Sequence, residues 1–101
     1  MKKQLHVGQI SAVAGSQELL ARVIEFQKER GVPEFQGCAR GDLILVAYED
    51  KPLGPIVGVA LLRRSVEDNE LQPILEGVCV QGRKARRALE LRAESLTNGI
   101  R

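Results

Sequence analysis

The chain has 101 residues, which is the usual size of a single domain with one hydrophobic core. Hydrophobic residues make up 44% and charged residues 28%, which excludes a disordered chain, and no apolar run is long enough for a membrane span. A net charge of +2 and an aromatic content of only 3% argue against a strongly basic or base-stacking nucleic-acid binder. We therefore expect one domain over 1–101, located in the cytoplasm, with no membrane partner, and the composition disfavours a nucleic-acid partner.

The two cysteines, Cys38 and Cys79, stand without CxxC spacing and without a neighbouring histidine. This pattern predicts neither a disulfide framework nor a zinc site, so we expect no metal cofactor. Cys79 lies in an apolar run and is interpreted as a core residue, because no base that would activate its thiol is near it in sequence. We assign no catalytic role to the single tyrosine, Tyr48, and no ligand role to the single histidine, His6.

The first two predicted elements are a strand and a helix. A short strand is expected over residues 4–7, ended by Gly8. A helix over roughly 16–30 follows, because Ser16 is a favourable N-cap, apolar residues recur on one side, and Gly31 stands just past the end.

The middle of the chain predicts a loop and then a β-hairpin. Residues 31–41 have no clear period and are expected to form a loop or a short irregular helix. Residues 42–49 are predicted to form a largely buried strand, because residues 43–48 are a continuous apolar run. The strand expected over 56–62 pairs with it, since the link of residues 50–55 is short and rich in turn residues.

The last third predicts one more strand and one more helix. An acidic turn over 66–70 leads into a strand over 71–80, in which Gly77 marks a bulge or a splay. A helix is expected over 83–96, with Gly99 as its stop. The predicted fold class is therefore α+β, mainly an antiparallel β-meander with helices packed on it, in the order β-α-β-β-β-α.

Two segments of this sequence, the hairpin of 43–50 and 56–62 and the stretch of 75–89, resemble parts of the GNAT family of N-acetyltransferases. The hairpin of 43–50 and 56–62 is similar to the family's second and third strands, with Gly58 following the returning Ile-Val. Residues 75–89 are similar to the family's fourth strand, its pyrophosphate-binding loop and the helix after it. The resemblance implies a partial GNAT-like domain, because the family's domain continues with a fifth strand, another helix and a closing hairpin.

The loop carries the more specific half of this resemblance. Gln81 matches the first position of the family's Gln/Arg-x-x-Gly-x-Gly/Ala pattern, whereas Lys84 and Arg86 stand where small residues are expected. The resemblance implies binding of acetyl-CoA or CoA, with side chains in place of bare backbone holding the phosphates. The implied cofactor-binding residues are Val78, Cys79, Val80, Gln81, Gly82, Arg83, Lys84, Ala85, Arg86 and Arg87. The three strand residues would offer main-chain groups to pantetheine, or they are core residues only.

Glu76 stands where some members of the family keep a catalytic base. The resemblance therefore implies N-acetyl transfer to a small-molecule acceptor with Glu76 as the base. The alternative is a solvated carboxylate on a strand face. The family's proton donor to the CoA thiolate lies in the part that this chain does not match, so we expect slow turnover or none.

The basic run, residues 83–87, also has two interpretations. Residues 83–101 carry six basic and two acidic side chains, a local charge of +4 in a chain whose first 82 residues carry −2. Positive charges in the first turn oppose the helix dipole at a cost of about 0.3–1 kcal/mol each, which favours an anionic partner. Alternatively the run is a solvated face, balanced in part by Glu90 and Glu94.

The predicted strand 71–80 has one edge without a sequence-adjacent partner. We expect a homodimer through antiparallel pairing of this edge, centred on 74–80. Three functions thus stay open: a shortened GNAT-like domain that binds CoA or acyl-CoA, a non-enzymatic dimeric interaction module, and a small regulator that holds nucleic-acid phosphates with the basic run.

Overall fold

The computed structural model describes residues 4–13, 15–36, 41–49, 54–67 and 70–98, with backbone alone in 64–67, 70–74 and 97–98. Its elements are β1 (Leu5–Ser11), α1 (Gln17–Glu29), β2 (Leu43–Glu49), β3 (Ile56–Glu67), β4 (Glu70–Val80) and α2 (Arg83–Asn98). The predicted order β-α-β-β-β-α is confirmed. Cys38 and Gly99 lie outside the described residues.

The four strands form one sheet in the order β1-β2-β3-β4, and each neighbouring pair is antiparallel. The sheet is therefore a meander, and the predicted α+β class is confirmed. The α1 helix covers one face of the sheet and α2 covers the other, because each helix shares a separate hydrophobic cluster with the strands.

The core follows from the continuous apolar runs of β2 and β3. Successive side chains of a strand point to opposite faces, so Val46 and Leu61 pack on the α1 side, whereas Leu45 and Leu62 pack on the α2 side. All four are nearly fully buried. The prediction of a largely buried β2 is confirmed, and both faces of the sheet are covered.

The predicted end of the first strand was wrong. Gly8 does not end β1 but pairs with Val46 within it. The Tyr48 ring lies against Gly8, with Cε2 3.5 Å from the position of an added Cβ, so cross-strand packing outweighs the weak strand propensity of glycine.

The third and fourth strands are also longer than predicted. β3 continues to Glu67 and β4 begins at Glu70, so three of the five residues of the expected turn 66–70 belong to strands. Polar composition favours a turn, but the hydrogen-bond ladder of a hairpin is made by main-chain groups and can continue through such residues.

The β4 strand contains the bulge that Gly77 predicted. Val59 pairs with Cys79 and Leu61 pairs with Glu76, so β4 has one more residue than β3 between these two pairs. Gly77 has φ +60, which L side chains rarely adopt. The bulge therefore depends on a glycine at this position.

Both helices lie close to their predicted positions. α1 begins after Ser16, whose carbonyl oxygen accepts from Leu20 N at 2.9 Å although its side chain makes no capping bond. Gly31 follows α1 with φ +69, as expected of a residue just past a helix end. In the described part of the chain neither helix is long and apolar enough to cross a membrane.

Candidate functional site

A cleft of about 270 Å³ opens where β4 leads into α2. We call it the α2 cleft. Its walls meet because β1 and β3 begin, and β2 and β4 end, at the same end of the antiparallel sheet. The residues that line it are Leu5, Glu49, Val57, Gln81, Gly82, Arg83, Lys84 and Ala85.

The backbone at this junction exposes the start of α2. Gln81 N donates to Val57 O at 2.7 Å, which ties the end of β4 to β3. Gly82 has φ +96 and no atom within 4 Å of the position of an added Cβ. The first helical bond is donated by Arg86 N to Gly82 O at 3.4 Å. The amides of residues 83–85 precede that bond and have no acceptor within the helix.

The charges at the start of α2 divide into two pairs. Arg86 Nε lies 3.2 Å from Glu90 Oε1, and Arg87 Nη1 lies 3.6 Å from Glu90 Oε2. Arg83 and Lys84 are exposed, and among the described residues neither has an ion-pair partner. The first turn holds no acidic residue. The solvated-face interpretation thus accounts for Arg86 and Arg87, while Arg83 and Lys84 line the cleft.

One carboxylate also belongs to the α2 cleft. Glu49 lies at the end of β2, and its main-chain N donates to Pro55 O at 3.1 Å. The two cations of Arg83 and Lys84 exceed it in charge, so the cleft remains positive in balance. Sequence reasoning missed Glu49, since only strand pairing brings the end of β2 to the start of α2.

The predicted contributions of β4 to cofactor binding are limited to its main chain. The Cys79 side chain is 7% exposed and packs on the α1 side, which confirms its predicted core position, and Val78 packs on the α2 side. Val80 Cγ1 and Ala85 Cβ lie 3.1 and 3.4 Å from the position of an added Cβ at Gly58. These side chains seat α2 against β3.

Glu76 is not among the residues that line the α2 cleft. Its Oε2 lies 2.8 Å from Arg63 Nε, but the contact is an ion pair without hydrogen-bond alignment, since Nε has no hydrogen-bond partner in the described residues. Arg63 Nη2 donates to Gln36 O at 2.6 Å. The structure therefore places Glu76 in a small network with the loop after α1 and does not bring it together with the basic run.

We find no protein family, no curated protein and no solved structure to which this chain is significantly similar. Within the described residues, no three side chains of His, Cys, Asp or Glu lie together as metal ligands would. The function must therefore be argued from the geometry and charge of the α2 cleft itself.

Proposed function

We propose that the protein binds CoA or acyl-CoA, with the phosphates of the cofactor held at the α2 cleft. The observation that carries this proposal is that Arg83 and Lys84 have no ion-pair partner among the described residues, at a helix start without an acidic residue in its first turn. Two neighbouring cations at a helix start repel each other and are also repelled by the positive end of the helix dipole. A bound anion relieves both repulsions.

The main chain of the cleft favours the same ligand chemistry. Gly82 has no side chain, and the space around it is open, so a phosphate oxygen can approach the amides of residues 83–85. Arg86 replaces a small residue of the family's pattern, but its guanidinium is held by Glu90, one turn along the helix. Lys84 is the remaining departure from that pattern, and it supplies charge where the family supplies open backbone.

We further propose that any acetyl transfer uses Glu76 as the base. Its separation from the α2 cleft suits a long cofactor, whose phosphates and thioester are far apart. The carboxylate is about half exposed, so an acceptor amine can reach it.

A second candidate function is a dimeric interaction module without a cofactor. One observation favours it: in the described sheet, β4 pairs with β3 on one side and has no strand on the other. The N-terminal strand β1 lies at the opposite edge, so it does not cover β4. An uncovered strand presents main-chain donors and acceptors, and the same strand of a second copy can pair with them.

The test of the first proposal is a calorimetric titration of CoA into the wild-type protein and into the Arg83→Gln/Lys84→Gln variant. The matched control is Arg86→Gln/Arg87→Gln, which removes the same charge from the same helix but leaves the cleft intact. Loss of binding in the first variant alone supports the proposal. Equal loss in both would reduce it to non-specific attraction by net charge.

A further inference from the structure

A second cavity lies on the other face of the sheet, between α1, the strands and the loop after α1. It has a volume of about 170 Å³. We call it the α1 cavity, and the described residues that line it are Ala12, Leu20, Val23, Ile24, Gln27, Glu34, Phe35 and Ile44. An apolar cavity of about 150 Å³ holds benzene, so the α1 cavity has room for a ligand of about six non-hydrogen atoms.

The walls of the α1 cavity are apolar. Six of these eight side chains are hydrocarbon, and they come from the end of β1, from α1, from β2 and from the loop after α1. Gln27 adds no polar group that a ligand can use, because the residue is 1% exposed and both polar atoms of its side chain are buried. The walls therefore favour a ligand with an apolar body.

Of the described residues that line the α1 cavity, only Glu34 carries a charge. The residue is exposed, and its carboxylate has no ion-pair partner in the described part of the chain. Two arginines of this region are engaged elsewhere, since Arg30 lies over the Phe26 ring, 5.0 Å from its centroid, and Arg63 is paired with Glu76. The exposed side of the cavity is therefore negative in balance.

We propose that the α1 cavity binds a small primary amine with an apolar body, whose ammonium group pairs with the Glu34 carboxylate. The apolar body fills the cavity, while the ammonium group stays beside an exposed side chain and keeps part of its water. This arrangement avoids the high cost of carrying a charge into an apolar interior. A carboxylic acid would be repelled by Glu34, and an alcohol would gain only a weaker hydrogen bond from it.

This site is separate from the proposed CoA site and does not rest on it. The described residues that line the α2 cleft and those that line the α1 cavity have no member in common. The two sites also differ in charge, since Arg83 and Lys84 make the α2 cleft attractive to anions, whereas Glu34 makes the α1 cavity attractive to cations. The two proposals therefore succeed or fail independently.

The experiment compares isopentylamine with isopentyl alcohol, a neutral molecule of the same shape, by chemical-shift titration of the ¹⁵N-labelled full-length chain. We expect the amine to shift the main-chain amide signals of Ala12, Leu20, Glu34 and Ile44. It should bind about fivefold more tightly than the alcohol, as one partly exposed ion pair allows. Added sodium chloride should reduce this preference, because salt screens an exposed pair.

Two variants test the role of Glu34. Glu34→Gln should remain folded, since the residue is exposed, and should bind the amine and the alcohol equally. The control Glu94→Gln removes the same charge from an exposed position on α2, which covers the other face of the sheet. This control should keep the preference for the amine.

Three results would overturn the proposal. The first is no shift at the residues of the α1 cavity at tens of millimolar amine. The second is equal binding of the amine and the alcohol by the wild-type protein, which needs no variant to interpret. The third is an equal loss of the preference in Glu34→Gln and Glu94→Gln, because the amine would then respond to net charge alone.

Discussion

The ring of Phe35 lies directly over Gly77, so that a Cβ added to Gly77 would stand 2.7 Å from Cε1 of the ring. This contact joins the loop after α1 to the bulge of β4. The bulge carries Glu76, the proposed base, and the same loop accepts a hydrogen bond from Arg63, the partner of Glu76. The geometry around Glu76 therefore depends on a glycine at position 77.

Gly77→Ala should lower the free energy of unfolding by about 1–2 kcal/mol for the left-handed backbone, and further for displacing the Phe35 ring. Gly31→Ala is the matched control, since Gly31 has a similar φ of +69 and no atom within 4 Å of an added Cβ. Urea denaturation of both variants separates the two costs. Equal losses would mean that the Phe35 contact contributes nothing.

The stability of the protein should depend on the ionisation of Tyr48 at high pH. Burial raises the pKa of Tyr48 above 10.0, and the charge of Arg22 offsets part of that rise. The fold thus favours the neutral phenol. The stabilisation that comes from burying the neutral Tyr48 is fully present below pH 10. It is lost as the pH rises from the pKa of Tyr48 in the unfolded chain through its higher pKa in the folded protein. Unfolding measured from pH 8 to 11 should show a steeper loss for wild type than for Tyr48→Phe, and identical slopes would contradict this account.

Pairing of the free β4 edge should give a homodimer. Light scattering should then report twice the chain mass of 11.1 kDa. Val78→Lys, within the strand that would pair, should give monomer or aggregate, whereas Val13→Lys, at a 59% exposed position outside β4, should remain dimeric. Cys79→Lys is a poor test, because Cys79 is buried and the variant would unfold. A stable wild-type monomer at high micromolar concentration would exclude the dimer.

Turnover on polyamines or peptide N-termini with acetyl-CoA should be undetectable or very slow. Where a rate is measurable, Glu76→Gln should lower it about 100-fold or more, as loss of a general base does. Glu94→Gln, an exposed carboxylate on α2, should leave the rate unchanged. The ion pair between Glu76 and Arg63 is partly exposed and contributes little to stability, so Glu76→Gln should remain folded. A similar loss of rate in Glu76→Gln and Glu94→Gln would argue against Glu76 as the base.

The sequence predicted those parts of the fold that local signals determine. Gly31 indicated the end of α1, Gly77 indicated the bulge, and the apolar run of residues 43–48 indicated a buried strand. The prediction at Gly8 was wrong because its pairing partner Val46 and the Tyr48 ring that packs on it are both far away in the chain.

The candidate sites were predicted less completely than the fold. The basic run indicated one wall of the α2 cleft, but Leu5 and Glu49 join it only through strand pairing.

The most direct test of the central proposal is a chemical-shift titration of CoA into the ¹⁵N-labelled protein. The account predicts saturable shifts at the amides of residues 81–85, where the backbone of the α2 cleft is exposed, and their loss in Arg83→Gln/Lys84→Gln. The amide signals of Leu20 and Ile44, which pack on the α1 side of the sheet, should not move. Unchanged spectra at millimolar CoA, or shifts confined to other surfaces, would contradict the assignment of the α2 cleft as a CoA site.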